Sequence, residues 1–250
     1  MLDAILAAKI MEREGCPCPV AAYDTIDSTN LELKRRIAAG CALPQLVIAD
    51  GQTAGRGRLG RCFESPDGSG VYFSLAFRAD GSLENTTLVT TAAAVAVREA
   101  IERETGLSCG IKWVNDLYLG GKKVCGILAE AVGGCVIVGI GINITTEFSG
   151  ELSEKAASLG KECSHEALAA LSCAGILRFL AGKMTDMIEK YRAHSIVLGK
   201  EITYFSASEP PKRARARDID SRGGLIVELN DGGEETLRTG EISIRMEDYK

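Results

Sequence analysis

Residues 51–61, GQTAGRGRLGR, set Arg56, Arg58 and Arg61 among Gly55, Gly57 and Gly60. Glycines let the backbone approach a ligand closely, and guanidinium groups pair with phosphate oxygens in fork geometry. The set suits clamping an anion, and a loop too glycine-rich to be a stable helix can order over its ligand as a lid. Taken alone, such a charge cluster reads equally well as a solvated surface loop. A second segment separates the two readings. IKWVNDLYLGGKKVCGILAEAV (111–132) has the pattern of a hairpin with Gly120-Gly121 at its tip. With regular strands, Tyr118 faces Lys123 and Asp116 faces Cys125, and alternation puts Lys112, Val114, Asp116, Tyr118 and Lys123 on one face. Lysines and arginines against phosphates, with a carboxylate to hold a metal or accept a proton, are what nucleotidyl transfer requires.

Other chemistries fit less well. Gly55-x-Gly57-x-x-Gly60 matches the dinucleotide fingerprint literally, but RCFESPDGSG follows in place of a helix. No G-K-[ST] completes a P-loop here. The two histidines, His165 and His194, lie far apart, which disfavours a Ser–His–Asp triad or a His-based metal site. Nine cysteines at irregular spacing, with no C-x-x-C, fit thiols in a reducing cytosol. No apolar run reaches the roughly 18 residues needed to span a bilayer. The N-terminal MLDAILAAKIMEREG carries Asp3 and no basic leader, so it reads as a short helix and not as a signal peptide. The formal net charge of −5 and the single short basic cluster RARARDID (213–220) argue against a nucleic-acid binder; that cluster reads as the wet face of a strand.

These groups need elements to hold them. DSTNLELKRRIAAG (27–40) reads as a helix, with Thr29 and Glu32 as a capping box and Gly40 as a stop. Strands are expected at 43–50, 70–78 and 135–144, and a helix from Thr86 to about Glu104, ending at Gly106 with Val97, Ala100 and Ile101 on one face. A long helix is expected from Glu166 to Tyr191, packing Leu180, Met184, Met187, Ile188 and Tyr191. Beyond Gly199 short strands and the turn NDGG (230–233) suggest a small β-module, a barrel, with the boundary in HSIVLG (194–199).

Four segments, DSTN (27–30), GQTAGRGRLGR, IKWVNDLYLGGKKVCGILAE and VIVGIGINI (136–144), together resemble a biotin–protein ligase in order and spacing. GGLIVEL and TGEISIR (239–245) resemble that family's terminal barrel. The resemblance implies an α+β fold: a mixed sheet flanked by helices, like class II aminoacyl-tRNA synthetases, over residues 1–198, then an SH3-like barrel over 199–250. It implies that biotin and ATP form biotinyl-5′-adenylate with Mg²⁺, and that a lysine of a biotin carboxyl carrier protein then takes the biotin. By the same resemblance Ser28, Thr29, Gln52, Gly55, Arg56 and Gly126 would bind biotin, and Lys123 would touch both its carboxylate and the α-phosphate. Arg58, Arg61 and Lys112 would meet phosphate oxygens, Phe63 and Asn143 the adenine, and Asn115 and Asp116 the Mg²⁺ and the incoming amine. Lys123, Lys112, Arg58 and Asp116 are the expected catalytic set.

Two departures stand out. Phe63 occupies a place where the family often has Trp, and WVND lacks the proline of Trp-Pro-Asn-Asp. Some members carry an N-terminal helix-turn-helix domain. About 20 residues precede Tyr23, too few for one, so no operator binding is expected. A homodimer paired through sheet edges is consistent with the resemblance, as is a cytoplasmic location. The rivals are a lipoate or octanoate ligase of the same fold, and a non-catalytic sensor of biotin or nucleotide. A ureido ring calls for polar partners such as Ser28, Thr29 and Gln52, whereas a lipoyl chain calls for an apolar tunnel.

Overall fold

The computed structural model describes residues 2–79, 85–182, 184–205 and 210–244. Helix α1 (Ala4–Arg13) starts at Asp3, whose carboxylate accepts the N–H groups of Ile5 and Leu6. Then follow β1 (Val20–Ile26), α2 (Thr29–Ala38), β2 (Gln45–Gln52), a 3₁₀ turn (Arg58–Gly60) and β3 (Gly70–Arg78). Helix α3 (Thr86–Thr105) leads to β4 (Gly110–Lys112), β5 (Asp116–Leu119), β6 (Lys122–Val132) and β7 (Cys135–Asn143). Helices α4 (Leu152–Lys155), α5 (His165–Ala181) and α6 (Met184–His194) complete this part.

The seven strands form one sheet in the order β1-β2-β3-β7-β6-β5-β4, parallel between β1 and β2 and antiparallel elsewhere. Alternation divides its side chains between two faces. Leu46, Ile48, Phe73, Leu75, Val136 and Val138 face the core shared with α1, α3, α5 and α6. Helix α3 is buried nearly all round, including Val97, Ala100 and Ile101, and stops at Gly106 in the left-handed region, where glycine carries no Cβ penalty. The opposite face carries α2, packed through Leu33 on Val47, Ala76 and Ile137. Ten-residue α2 is too short to cover that face, and the uncovered part holds the site.

Three local expectations need correction. First, no capping box forms. Ser28 occupies the N-cap without a side-chain bond, and the Thr29 N–H is capped instead by Gln52 Oε1 at 2.9 Å, from the end of β2. Glu32 turns to Tyr23, Arg35 and Arg36. Second, the expected helix 166–191 is two helices, because Gly182 leaves helical geometry. Met187, Ile188 and Tyr191 are buried and Leu180 is partly so, while the Met184 side chain lies outside the described residues. Third, 111–119 is not one strand. The chain turns at 113–115, where the Trp113–Val114 peptide is cis, so Lys112 pairs with Asp116 across β4 and β5. A bulge after Leu117 shifts the hairpin, so that Asp116 faces Gly126 while Tyr118 still faces Lys123.

The second sheet holds β8 (Glu201–Phe205), β9 (Lys212–Ile219), β10 (Leu225–Leu229), β11 (Glu234–Leu237) and β12 (Glu241–Ile244), antiparallel in the order β11-β10-β9-β8-β12. Ala214, Ala216 and Ile219 point into the core and the β9 arginines point out. In register, Arg215 lies between Glu201 and Glu228, and Arg217 pairs with Glu228 at 2.6 Å, so carboxylates flank part of this basic run. Arg245, at the end of TGEISIR, lies outside the described residues.

Candidate functional site

A cavity of about 150 Å³ opens on the α2 face of the larger sheet. Its floor is nearly bare backbone. Gly126 and Gly141 pair across β6 and β7, with Gly139 two residues on along β7. A Cβ at Gly141 would lie 2.4 Å from the Phe63 ring, one at Gly126 3.0 Å from it, and one at Gly139 2.2 Å from Asn30 Oδ1. Only glycine lets the ring and the amide come this close to the strands. Phe63 also meets Tyr72 edge-on, with ring centroids 6.3 Å apart.

One wall is the N-terminus of α2. Ser28, Thr29 and Asn30 are almost fully buried there, and Gln52 reaches them from β2. The opposite wall is the arginine loop, folded as a tight hairpin: the Phe63 N–H donates to Gly55 O at 3.0 Å and the Gly57 N–H to Arg61 O at 2.7 Å. Its tip turns through Leu59 (φ 57°) and Gly60 (φ 75°), both left-handed, which leaves Leu59 exposed. Gly55 supports the base, since a Cβ there would lie 2.3 Å from Phe63 O.

The charged groups converge at the far end. Lys123 Nζ lies 2.8 Å from Asp116 Oδ1 and 6.0 Å from the centre of the Phe63 ring. Oδ1 is buried, and among the described residues no donor other than the Lys123 ammonium reaches it. Asn115 is tied to β6 by its Nδ2 donating to Ile127 O at 2.9 Å, and its Oδ1 accepts from Arg58 at 2.9 Å. Arg58 also donates to Gly240 O at 2.7 Å, while Arg61 forms a fork on Glu241 at 2.9 and 2.6 Å. Burial pulls the Arg58 guanidinium below its ordinary value, against the opposing influence of Asp116 and Glu241. The Arg61 hydrogen bond holds Glu241 below the usual carboxylate range.

Of the expected site residues, Ser28, Thr29, Gln52, Arg56, Arg58, Arg61, Phe63, Asn115, Asp116, Lys123 and Gly126 line this cavity. Gly55, Lys112 and Asn143 do not. Lys112 Nζ sits 5.3 Å over the Tyr118 ring, at the edge, where its charge also lowers Glu241. Asn143 donates to Ala157 O at 3.1 Å, and its Oδ1 is buried without a donor. Lining residues that the sequence reading passed over include Gly139, Gly141 and Glu241. The period-two glycines of VIVGIGINI signalled the first two, whereas Glu241 has no local signal because its partner lies 180 residues away. Among the described residues no three His, Cys, Asp or Glu side chains group as a metal site, and no helix is long and apolar enough to cross a membrane.

Residues 23–146 match the biotin/lipoate A/B protein ligase family model, and residues 197–245 match the biotin protein ligase C-terminal domain. The chain is 35% identical over 229 residues to the bifunctional ligase/repressor BirA of Bacillus subtilis, covering 84% of this chain and 69% of that protein. It is 30% identical over 217 residues to the biotin–[acetyl-CoA-carboxylase] ligase of Mycobacterium tuberculosis, covering 81% of this chain and 80% of that one. Among solved structures, the Aquifex aeolicus biotin protein ligase in complex with biotin and ATP superposes with a TM-score of 0.77 at 28% identity, covering 90% of this chain and 98% of that one.

Proposed function

From the premise that the chain belongs to the biotin/lipoate A/B protein ligase family, as a biotin protein ligase, we propose how its cavity divides the work. Biotin and ATP are its substrates, and the product of the first step is biotinyl-5′-adenylate. A biotin carboxylate oxygen attacks the α-phosphorus, a P–O bond forms, and pyrophosphate leaves with the electron pair of the bond it breaks. In the second step the ε-amine of a lysine on a biotin carboxyl carrier domain attacks the acyl carbon, and AMP leaves.

The observation that carries this reading is one cavity with two chemically distinct ends. Ser28, Thr29 and Gln52 form a buried polar end suited to a ureido ring; Lys123, Arg58 and Arg61 form a cationic end suited to a triphosphate. Lys123 neutralises charge as it shifts from the carboxylate to the phosphate, and Asp116 holds the ammonium group in place until the phosphate arrives. Arg58 and Arg61 bind phosphate oxygens, and Phe63 faces the adenine. Arg56 borders the biotin end and backbone at Gly55 and Gly126 lets biotin in closely. Lys112 adds positive charge at the rim.

Mg²⁺ fits the donor set. Asp116 is the carboxylate at the cationic end, and its buried Oδ1 lies 2.8 Å from the Lys123 ammonium, which would move to the phosphate when an ion takes that oxygen. Mg²⁺ is commonly held by one or two carboxylates together with substrate phosphates and water. Asp116 would hold the ion, which when bound would neutralise phosphate charge. Residues 1–198 form the catalytic part and 199–250 the terminal module in this proposal. It places the enzyme in the cytoplasm, without sequence-specific DNA binding. Any homodimer would use β1 or β4, the edges of the larger sheet.

ATP–pyrophosphate exchange with Mg²⁺ and biotin, lipoate or octanoate in turn tests the reading. Exchange with biotin alone is expected. Exchange with lipoate or octanoate would move the substrate assignment, and biotin binding without any exchange would leave a sensor.

A further inference from the structure

The described residues leave four large apolar side chains exposed: Ile5, Leu6, Leu59 and Phe205. Ile5 and Leu6 belong to α1, on the face of the larger sheet away from the cavity. Leu59 and Phe205 lie far apart in sequence, yet both border one ion pair. Leu59 stands two residues before Arg61, at the tip of the arginine loop, and is 74% exposed. Phe205 ends β8, is 42% exposed, and faces Glu241 in register across the β8–β12 pair. Arg61 and Glu241 form the fork that ties the loop to the small sheet, with the Arg58 bond to Gly240 O beside it. These bonds bring the loop tip and the sheet edge to one rim of the cavity, which Leu59, Arg61 and Glu241 all line.

Leu59 is costly where it stands. Its φ of 57° and ψ of 32° are left-handed, a conformation that glycine or asparagine adopts far more readily than leucine. Its side chain also keeps most of its apolar surface in water. Glycine or asparagine would remove both costs, so packing within the chain does not account for leucine here. Covering a small ligand does not account for it either. The loop is already bonded down onto the small sheet, and in that position the side chain still faces outward. A surface that arrives from outside, onto the loop in this position, gives both costs a return.

The proposed second step supplies such a surface. The acyl carbon of the adenylate lies between the polar and cationic ends, inside the cavity. The acceptor lysine therefore enters over the rim, and the domain that carries it covers the rim. We infer that Leu59 and Phe205 are the two halves of a docking patch for the carrier domain, which meets them with apolar side chains beside its acceptor lysine. The inference rests on the reading that a carrier lysine takes the biotin, and it names the surface on which that partner sits. The loop contributes one half and the small sheet the other, and the Arg61–Glu241 fork holds them together. A few apolar anchors of this kind carry most of the energy of a protein interface.

The test compares two acceptors of biotin from the adenylate. One is the purified biotin carboxyl carrier domain of an acetyl-CoA carboxylase. The other is hydroxylamine, a small nucleophile that attacks the same acyl carbon, releases AMP and needs no docking. Leu59→Asn removes the apolar side chain and suits the left-handed backbone. Phe205→Ser does the same at the sheet edge. In each variant the ratio of kcat/KM for the carrier domain to the hydroxylamine rate constant is expected to fall at least about tenfold, the scale of one buried apolar side chain. The fall is expected in the KM for the carrier domain, with the melting temperature of Leu59→Asn no lower than that of the parent. If Leu59→Asn loosens the loop, both acceptors gain or lose access together, and the ratio still reports docking. A folded variant of either kind that keeps the parent's ratio overturns the inference. So does a Leu59→Asn variant whose only defect is a raised ATP KM, because Leu59 would then belong to the cover over the nucleotide. A parent that makes no adenylate from biotin defeats the functional reading itself, a different result from either.

Discussion

Lys123 shows what a single side chain can contribute when its partner is built in. It stands 2.8 Å from Asp116, so the ammonium is held at the end of the cavity where the proposed reaction would develop negative charge. Lys123→Ala should lower the rate of adenylate formation on the order of a hundred- to thousandfold, as loss of one preorganised electrostatic donor does, with a much smaller change in the ATP KM. Single-turnover measurement of biotinyl-adenylate separates the two; an unchanged rate would remove Lys123 from the chemical step. At this scale much of the site was legible, because DSTN, the arginine loop and the Lys123 hairpin are short motifs whose residues stay neighbours. Asp116 was legible by type but not by position. Its place across from Gly126 depends on a turn at 113–115 and a bulge after Leu117, and strict alternation foresees neither.

The elements that position these side chains were mostly readable. β3 and β7 emerge from mostly apolar runs, interrupted by Ser74 in the first and by Gly139 and Gly141 in the second, and α3 stops at the glycine expected to stop it. The N-terminus of α2 was not, since Gln52 satisfies from β2 a donor that local sequence assigned to Thr29 and Glu32. The paired strands β6 and β7 carry a consequence of their own. Gly141→Ala would put a Cβ 2.4 Å from the Phe63 ring, which sits on a loop and can swing away. We expect the KM for ATP, whose adenine the ring is proposed to face, to rise at least about tenfold and the melting temperature to fall by no more than about 4 °C, since the strain can relax at the loop. Steady-state kinetics beside a thermal melt checks the pair; a large stability loss with unchanged KM would mean that the ring does not shape the cavity.

Across the whole molecule the small sheet closes the site. Gly240 and Glu241 hold Arg58 and Arg61, and the Trp113 indole N–H donates to Gly223 O at 2.9 Å beside the turn that presents Asn115. None of this could be read from sequence, where the partners are more than 100 residues apart. The Arg61 bond depresses the Glu241 carboxyl, so the loop contact is complete above the ordinary carboxyl value of 4.5 and is lost as pH falls through the lowered one. Escape of adenylate should therefore quicken at acid pH in the parent, and Glu241→Gln should show the faster escape already at neutral pH. Filter-trapping of labelled adenylate measures it; equal retention at neutral pH by the variant and the parent would make the contact irrelevant to closure. The glycine floor, finally, limits what this protein can become. Gly126, Gly139 and Gly141 already have the smallest side chain available, so any substitution there adds atoms. Point mutation can narrow the range of acids admitted from that side but never broaden it, and a larger substrate would have to be accommodated by reshaping the loop wall at Arg56, Leu59 or Phe63.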